Sequence, residues 1–186
     1  MSNISNYKAG VIRSIGNMSA TDLHDNLMGG LPTSNGCWSG EQGNSRWLPD
    51  TDYIPKNKHY NNMWGKPWSQ ILKENSCTDG IIFTNGEIDF ARTGLVKAEV
   101  IIPDGIGSCF TERQLEKGIR TRLHDTAFAI LAQHLGKTME EVYAWKDTNN
   151  YVWHECIDLK TLQLVPREIH DNVPHQGGVA ILKVSV

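Results

Sequence analysis

The chain has 186 residues, of which 39% are hydrophobic and 21% charged, with a formal net charge of −3. That size and balance suit one folded unit with a real core, and exclude collagen-like, coiled-coil and largely disordered classes. No apolar run reaches the roughly 18 residues of a membrane span, and Met1 to Gly10 lacks the basic-then-apolar build of a secretory leader, so export would rest on a carrier. The net acidity weighs against capture of nucleic acid by charge alone, since affinity for a phosphate backbone comes largely from Lys and Arg.

Residues 1 to about 65 are rich in Asn, Ser, Gly and Asp, as in GCWSGEQGNSRWLPD, with no sustained helical or strand period. They read as irregular but ordered, a wrapping arm whose Trp38, Trp47 and Trp64, with Trp68 just beyond, need burial. Glu41 and Arg46 read as an internal ion pair fixing that arm, ahead of the alternative that they touch substrate. A short amphipathic helix is expected from Lys66 to Glu74. IIFTNGEIDF then sets Asn85-Gly86 between two strand-like runs, a type I′ hairpin signal, and Leu95 to Ile102 is a further strand.

Over 111–135, Leu115, Ile119, Leu123, Ala127, Ile130 and Leu131 recur at helical spacing. The box Thr111-x-x-Gln114 opens this long helix and Gly136 closes it. Its Arg113, Lys117, Arg120 and Arg122 offer a local basic face, although a merely solvated helix face explains them as well. A second box, Thr138-x-x-Glu141, starts a helix through Trp145, and Asp147 to Asn150 form a turn. The tail reads strand (YVWHEC), strand (TLQLV), then a brief helix after Pro166 around Arg167 to Asp171.

Chemistry crowds into that tail. His154, His170 and His175 lie close in sequence and Glu155 adjoins the first. Imidazoles and a carboxylate on neighbouring elements suit a divalent cation. Phosphodiester cleavage needs such a cation to stabilise growing negative charge and a base to activate water. One of His154 and Glu155 is therefore expected to be the base, the other holding the ion with His170 and His175. Successive strand residues face opposite ways, so that shared role calls for a bulge or strand end near 155.

Other motifs fall away. His154-Glu155 begins a HExxH-like string, but position 158 is Asp and the stretch is strand-like. No PCxxC partner for a zinc deaminase is present, and no CxxC pair exists among Cys37, Cys77, Cys109 and Cys156. Cys156 as a nucleophile would have to share a face with adjacent strand residues. His24, His59, His124 and His134 read as ordinary surface or core histidines, Trp153 as a core anchor, and Gly177-Gly178 as a tight turn after the helix.

YVWHECIDLKTLQLVPREIHDNVPHQGGVA resembles the WHH-type signature of the HNH/endonuclease VII superfamily, found in polymorphic toxins and colicin-like nucleases. The resemblance covers Trp153-His154-Glu155, the LQLVP strand, His170, His175 and Gly177-Gly178. GCWSGEQGNSRWLPD resembles a segment that accompanies such nucleases. The resemblance implies an α+β fold with a C-terminal ββα-metal (His-Me finger) motif, packed on the long helix beside a small hairpin. It implies one toxin domain over 1–186, with 1–110 accessory and 111–186 holding the helices and metal core. It further implies single-metal endonuclease action on DNA, with one divalent ion (Zn, Mg, Mn or Ni) and no small-molecule cofactor.

An immunity protein would block the site, and a larger carrier would deliver the domain into a target cell's cytoplasm, with no membrane partner. Glu155 departs from the usual pattern by replacing the second histidine of the triplet. The superfamily's order makes His154 the ligand and Glu155 the base, whereas imidazole basicity favours the reverse. Besides DNA cleavage, an RNase of the same fold and a non-catalytic module stapled by its metal stand as alternatives.

Overall fold

A computed structural model describes residues 19–56 and 65–184. Trp64 and His59, singled out above, lie outside the described residues. The architecture is α+β, built on two small antiparallel sheets.

Helix α1 (Ala20–Gly29) opens on a Ser19–Asp22 capping box. Strands β1 (Gly36–Trp38) and β2 (Arg46–Pro49) pair with each other, and β2 pairs with β3 (Ile81–Thr84). The arm is thus part of a sheet, correcting the irregular reading. Its strands are three and four residues long, too short for a period to register. Glu41 and Arg46 form no ion pair; the Arg46 carbonyl instead accepts from the Ser39 amide at 2.9 Å.

Helix α2 (Trp68–Glu74) precedes β3, and β4 (Glu87–Ile88) completes the order β1-β2-β3-β4. Asn85 and Gly86 take positive φ, 52° and 82°, as a type I′ turn demands. Strand β5 (Ala98–Ile101) belongs to the second sheet, pairing with β7 (Thr161–Pro166), which pairs in turn with β6 (Tyr151–Glu155).

The expected long helix is two. Helix α3 (Glu112–Lys117) has the Thr111–Gln114 box and stops at Gly118, whose φ of 66° is left-handed. Helix α4 (Thr121–Leu135) resumes after that bend and ends at left-handed Gly136. The Thr138–Glu141 box caps α5 (Met139–Thr148). Beyond β7 come α6 (Arg167–His170) and α7 (Gly178–Val184), the second absent from the sequence reading.

The β5-β7-β6 sheet divides the core. Trp153, Leu162 and Leu164 pack with Leu123, Ala127, Phe128 and Leu182 on the helical side. Val165 and Ile169, with half-buried Val152, pack with Trp68, Phe83, Ile88 and Phe90 on the other. A sheet buried on both faces explains why β7 ends in the apolar run Leu164-Val165-Pro166. No described helix is long and apolar enough to cross a membrane.

Candidate metal centre

The site follows from the alternation of β6. Val152 and His154 face the β1–β4 sheet, and Trp153 and Glu155 face the helices. The pairing His154↔Gln163 and Glu155↔Leu162 is unbroken, so no bulge turns the two neighbours the same way. His154 is 1% exposed. His170 closes α6, and His175 sits in the loop leading to α7.

The structure brings His154, His170 and His175 together: each offers a ring nitrogen within 4.8 Å of the others'. Ring centroids are 4.8 Å apart for His170 and His175, 5.1 Å for His154 and His175, and 5.6 Å for His154 and His170. Fully buried Phe90 backs all three, its centroid 4.9 Å from His154 and 6.0 Å from each of the others. An aromatic wall of this kind excludes water and limits the rotamers available to the imidazoles.

Their outer contacts select the free nitrogen. His175 Nδ1 donates to the Val173 carbonyl at 2.8 Å, and His170 Nδ1 donates to Asp171 Oδ1 at 2.9 Å. Both bonds place the proton on Nδ1 and leave an Nε2 lone pair, the arrangement that second contacts impose on metal-binding histidines. His154 Nε2 is buried with no hydrogen-bond partner. A buried ring nitrogen without a partner, on a histidine of an imidazole cluster, is costly unless a cation takes its lone pair.

The protonation equilibria agree. Burial pushes His154 below the ordinary imidazole range, helped by repulsion from His170 and opposed by Glu87. Burial, then the charges of His170 and His154, pushes His175 well below it. Neutral imidazoles are the ligating form. A zinc-like ion with bonds of about 2.0–2.1 Å needs donors about 3.4 Å apart, so side-chain shifts of about 1 Å close the trio. These residues fit one ion.

Gly177 and Gly178 make this convergence possible, and not through a tight turn. A Cβ on Gly177 would lie 2.9 Å from the Glu155 carbonyl oxygen, and one on Gly178 2.4 Å from that of Cys156. Only glycine lets the start of α7 press against the end of β6, which draws the His175 loop onto His154.

Glu155 is not brought into the cluster. It faces α4, where its Oε1 lies 3.0 Å from Arg120 Nε and 3.2 Å from His124 Nε2. Burial raises its carboxyl pKa, but His124 and Arg120 together outweigh burial and hold it below the ordinary value. His124, read as ordinary, is thus the partner of a buried acid. The basic run is divided likewise: Arg120 is spent on Glu155, while Arg113, Lys117 and Arg122 are exposed.

Two residues next to the trio escaped the sequence reading. Phe90 is one and Glu87 is the other, with Oε1 3.8 Å from His154 Nε2. Glu87, His154 and Cys156 form a second set of donors within 4.8 Å of one another. Both residues arrive from the β3–β4 region, so no local spacing ties them to the tail. The acidic, aromatic EIDF after the Asn85-Gly86 turn was the only signal available.

A buried three-imidazole cluster carried by a strand pair and the segment after it makes a candidate metal centre in an α+β fold. Residues 145–185 match the WHH family, described as a nuclease of the HNH/ENDO VII superfamily with conserved WHH. The match covers this carboxy-terminal segment alone, which is similar to nucleases of that superfamily and supports a nuclease activity. No curated protein and no solved structure matches the chain.

Proposed function

We propose that the protein is a metal-dependent endonuclease hydrolysing DNA, with His154, His170 and His175 as the metal ligands. The observation that carries this reading is the buried, unpartnered His154 Nε2 among two imidazoles whose Nδ1 protons are already committed. In this reading β6, β7 and α6 are the ββα-metal frame, and the whole chain works as one domain. Nitrogen donors in a compact site favour zinc or nickel over magnesium. Bound there, the ion would act as a Lewis acid on the phosphate as charge develops.

The chain's own groups do the rest. Phe90 walls off water behind the imidazoles. Asp171 and Val173 orient two of the rings. Arg113, Lys117 and Arg122 offer charge to the phosphate backbone in spite of the net acidity. The buried Glu155, tied to Arg120 and His124, braces the strand that presents His154 and is not a ligand.

Delivery by a larger carrier into a competitor's cytoplasm, and inhibition by an immunity protein covering the centre, complete the proposal as an antibacterial toxin domain. Both rest on the resemblance of the C-terminal segment to the WHH-type signature found in polymorphic toxins. The test is incubation of purified protein with supercoiled plasmid and Mg²⁺, Mn²⁺, Ni²⁺ or Zn²⁺, beside a His170→Ala control. Nicking and linearisation by the wild type alone is the expected result. Intact DNA with every ion would refute it, and cleavage confined to an RNA substrate would move the reading to a ribonuclease.

A further inference from the structure

We propose that Glu87, supplied by the β3–β4 hairpin and not by β6, orients the attacking water and takes its proton. The inference rests on the nuclease reading above and extends it to the identity of the base. The type I′ turn at Asn85-Gly86 sets Glu87 directly after the turn, opposite Thr84. Ile88 and Phe90 then point into the core, leaving Glu87 and Asp89 beside a cleft of about 250 Å³ that Cys156 and Gln163 also line.

The hairpin is anchored to the far sheet by the carboxylate itself. The Ile157 amide donates to Glu87 Oε1 at 2.8 Å across a sequence separation of 70 residues. The same oxygen lies 3.8 Å from His154 Nε2. The set of donors containing Glu87 shares His154 alone with the imidazole trio. A carboxylate that reaches one of the three imidazoles and opens on the cleft could hold a water beside an ion that those imidazoles would bind. Its side chain is 23% exposed, so water can reach it from the cleft.

The neighbouring candidates face away or have both carboxylate oxygens engaged, whereas Glu87 accepts through Oε1. Glu155 lies behind the sheet, its Oε1 against Arg120 and His124. Asp171 accepts from His170. Asp89 accepts from the Thr84 hydroxyl through Oδ2 and from the Arg92 amide through Oδ1. Burial, then nearby carboxylates led by Glu87, pushes the Cys156 thiol far above its ordinary range, leaving it protonated.

In the step itself an O–H bond of water breaks as its oxygen bonds to phosphorus. The proton passes to the Glu87 carboxylate. The P–O bond to the leaving sugar oxygen breaks, and solvent returns a proton to that oxygen.

Glu87→Gln tests this cleanly, because the amide oxygen still accepts from the Ile157 N–H while the basic charge is gone. Three quantities are measured: the melting temperature, zinc affinity by calorimetry without substrate, and the single-turnover rate of plasmid cleavage. We expect melting within about 2 °C of wild type, a zinc Kd within about 3-fold, and cleavage slower by about 10²–10⁴-fold. Cleavage within about 3-fold of wild type would overturn the proposal. So would a zinc affinity about 100-fold weaker, which marks a ligand, or a melting temperature that collapses together with the rate, which marks a strut. A wild type that binds zinc but cuts no nucleic acid defeats the nuclease reading itself, an outcome distinct from all of these.

Discussion

Substituting glutamine for Glu155 separates a brace from a ligand. The side chain is 8% exposed, and one oxygen meets both Arg120 and His124 at 3.0 and 3.2 Å. The amide keeps the shape and one acceptor but removes the charge. Contacts to charged groups contribute about 1.5–3 kcal/mol, against about 0.5–1.5 for neutral ones. Arg120, at 40% exposure, is partly screened by water. The loss is therefore about 1–2 kcal/mol, or roughly 2–8 °C in melting temperature for a chain of this size.

The same contacts set the pH dependence. Although burial opposes ionisation, His124 and Arg120 hold the folded carboxyl below the ordinary 4.5. A depressed carboxyl contributes its stability in full above the unfolded value and loses it as pH falls through the folded one. The gap between wild type and Glu155→Gln is thus largest above pH 4.5 and closes below it. Thermal unfolding followed by circular dichroism at several pH values, with zinc calorimetry alongside, reads both quantities. Unchanged stability together with a zinc affinity about 100-fold weaker would refute the reasoning and make Glu155 a ligand.

Three further outcomes follow from the centre. Zinc at about 100 times its Kd should stabilise the wild type by about 2.7 kcal/mol, roughly 5–11 °C by scanning calorimetry, and should leave His170→Ala and His175→Ala unmoved. Phe90→Ala should lose about 3–5 kcal/mol in urea unfolding and weaken zinc binding, because the fully buried ring backs all three imidazoles; Phe90→Leu should retain most of both. Since burial depresses His154 and His175, their contribution to the metal-free fold is complete above the ordinary 6.5 and is lost as pH falls through the lowered folded values. The urea midpoint should therefore drop between about pH 7 and about pH 5, and a flat midpoint there contradicts the neutral, buried state of the rings.

Local signals carried much of the fold. The capping boxes at Thr111 and Thr138 and the Asn85-Gly86 turn fall where their chemistry places them, because each is decided by a few adjacent residues. The pair of tail strands was legible for the same reason. Gly118 was not read as a break, since the apolar spacing runs on through it; its left-handed φ splits the helix all the same. Strands β1 and β2 were hidden because they are short and owe their existence to pairing, β1 with β2 and β2 with β3, the latter a tertiary contact. Helix α7 was missed because its opening glycines looked like a stop.

At the site, the clustering of His154, His170 and His175 was visible from composition within one short segment. The strand end expected near 155 is there, β6 stopping at Glu155, but the pairing stays regular up to it, so strand alternation still separates Glu155 from the trio. Glu87 and Phe90 were out of reach. They enter from a hairpin 70 residues before Ile157, and only the packing of one sheet on the other brings them near.

The most direct test is anomalous diffraction at the zinc edge from crystals grown with stoichiometric zinc. The account predicts a single strong peak bonded to ring nitrogens of His154, His170 and His175 at about 2.0–2.1 Å, with a fourth position open to water on the Glu87 side. A peak elsewhere, or one whose coordination sphere includes Glu155, would contradict it.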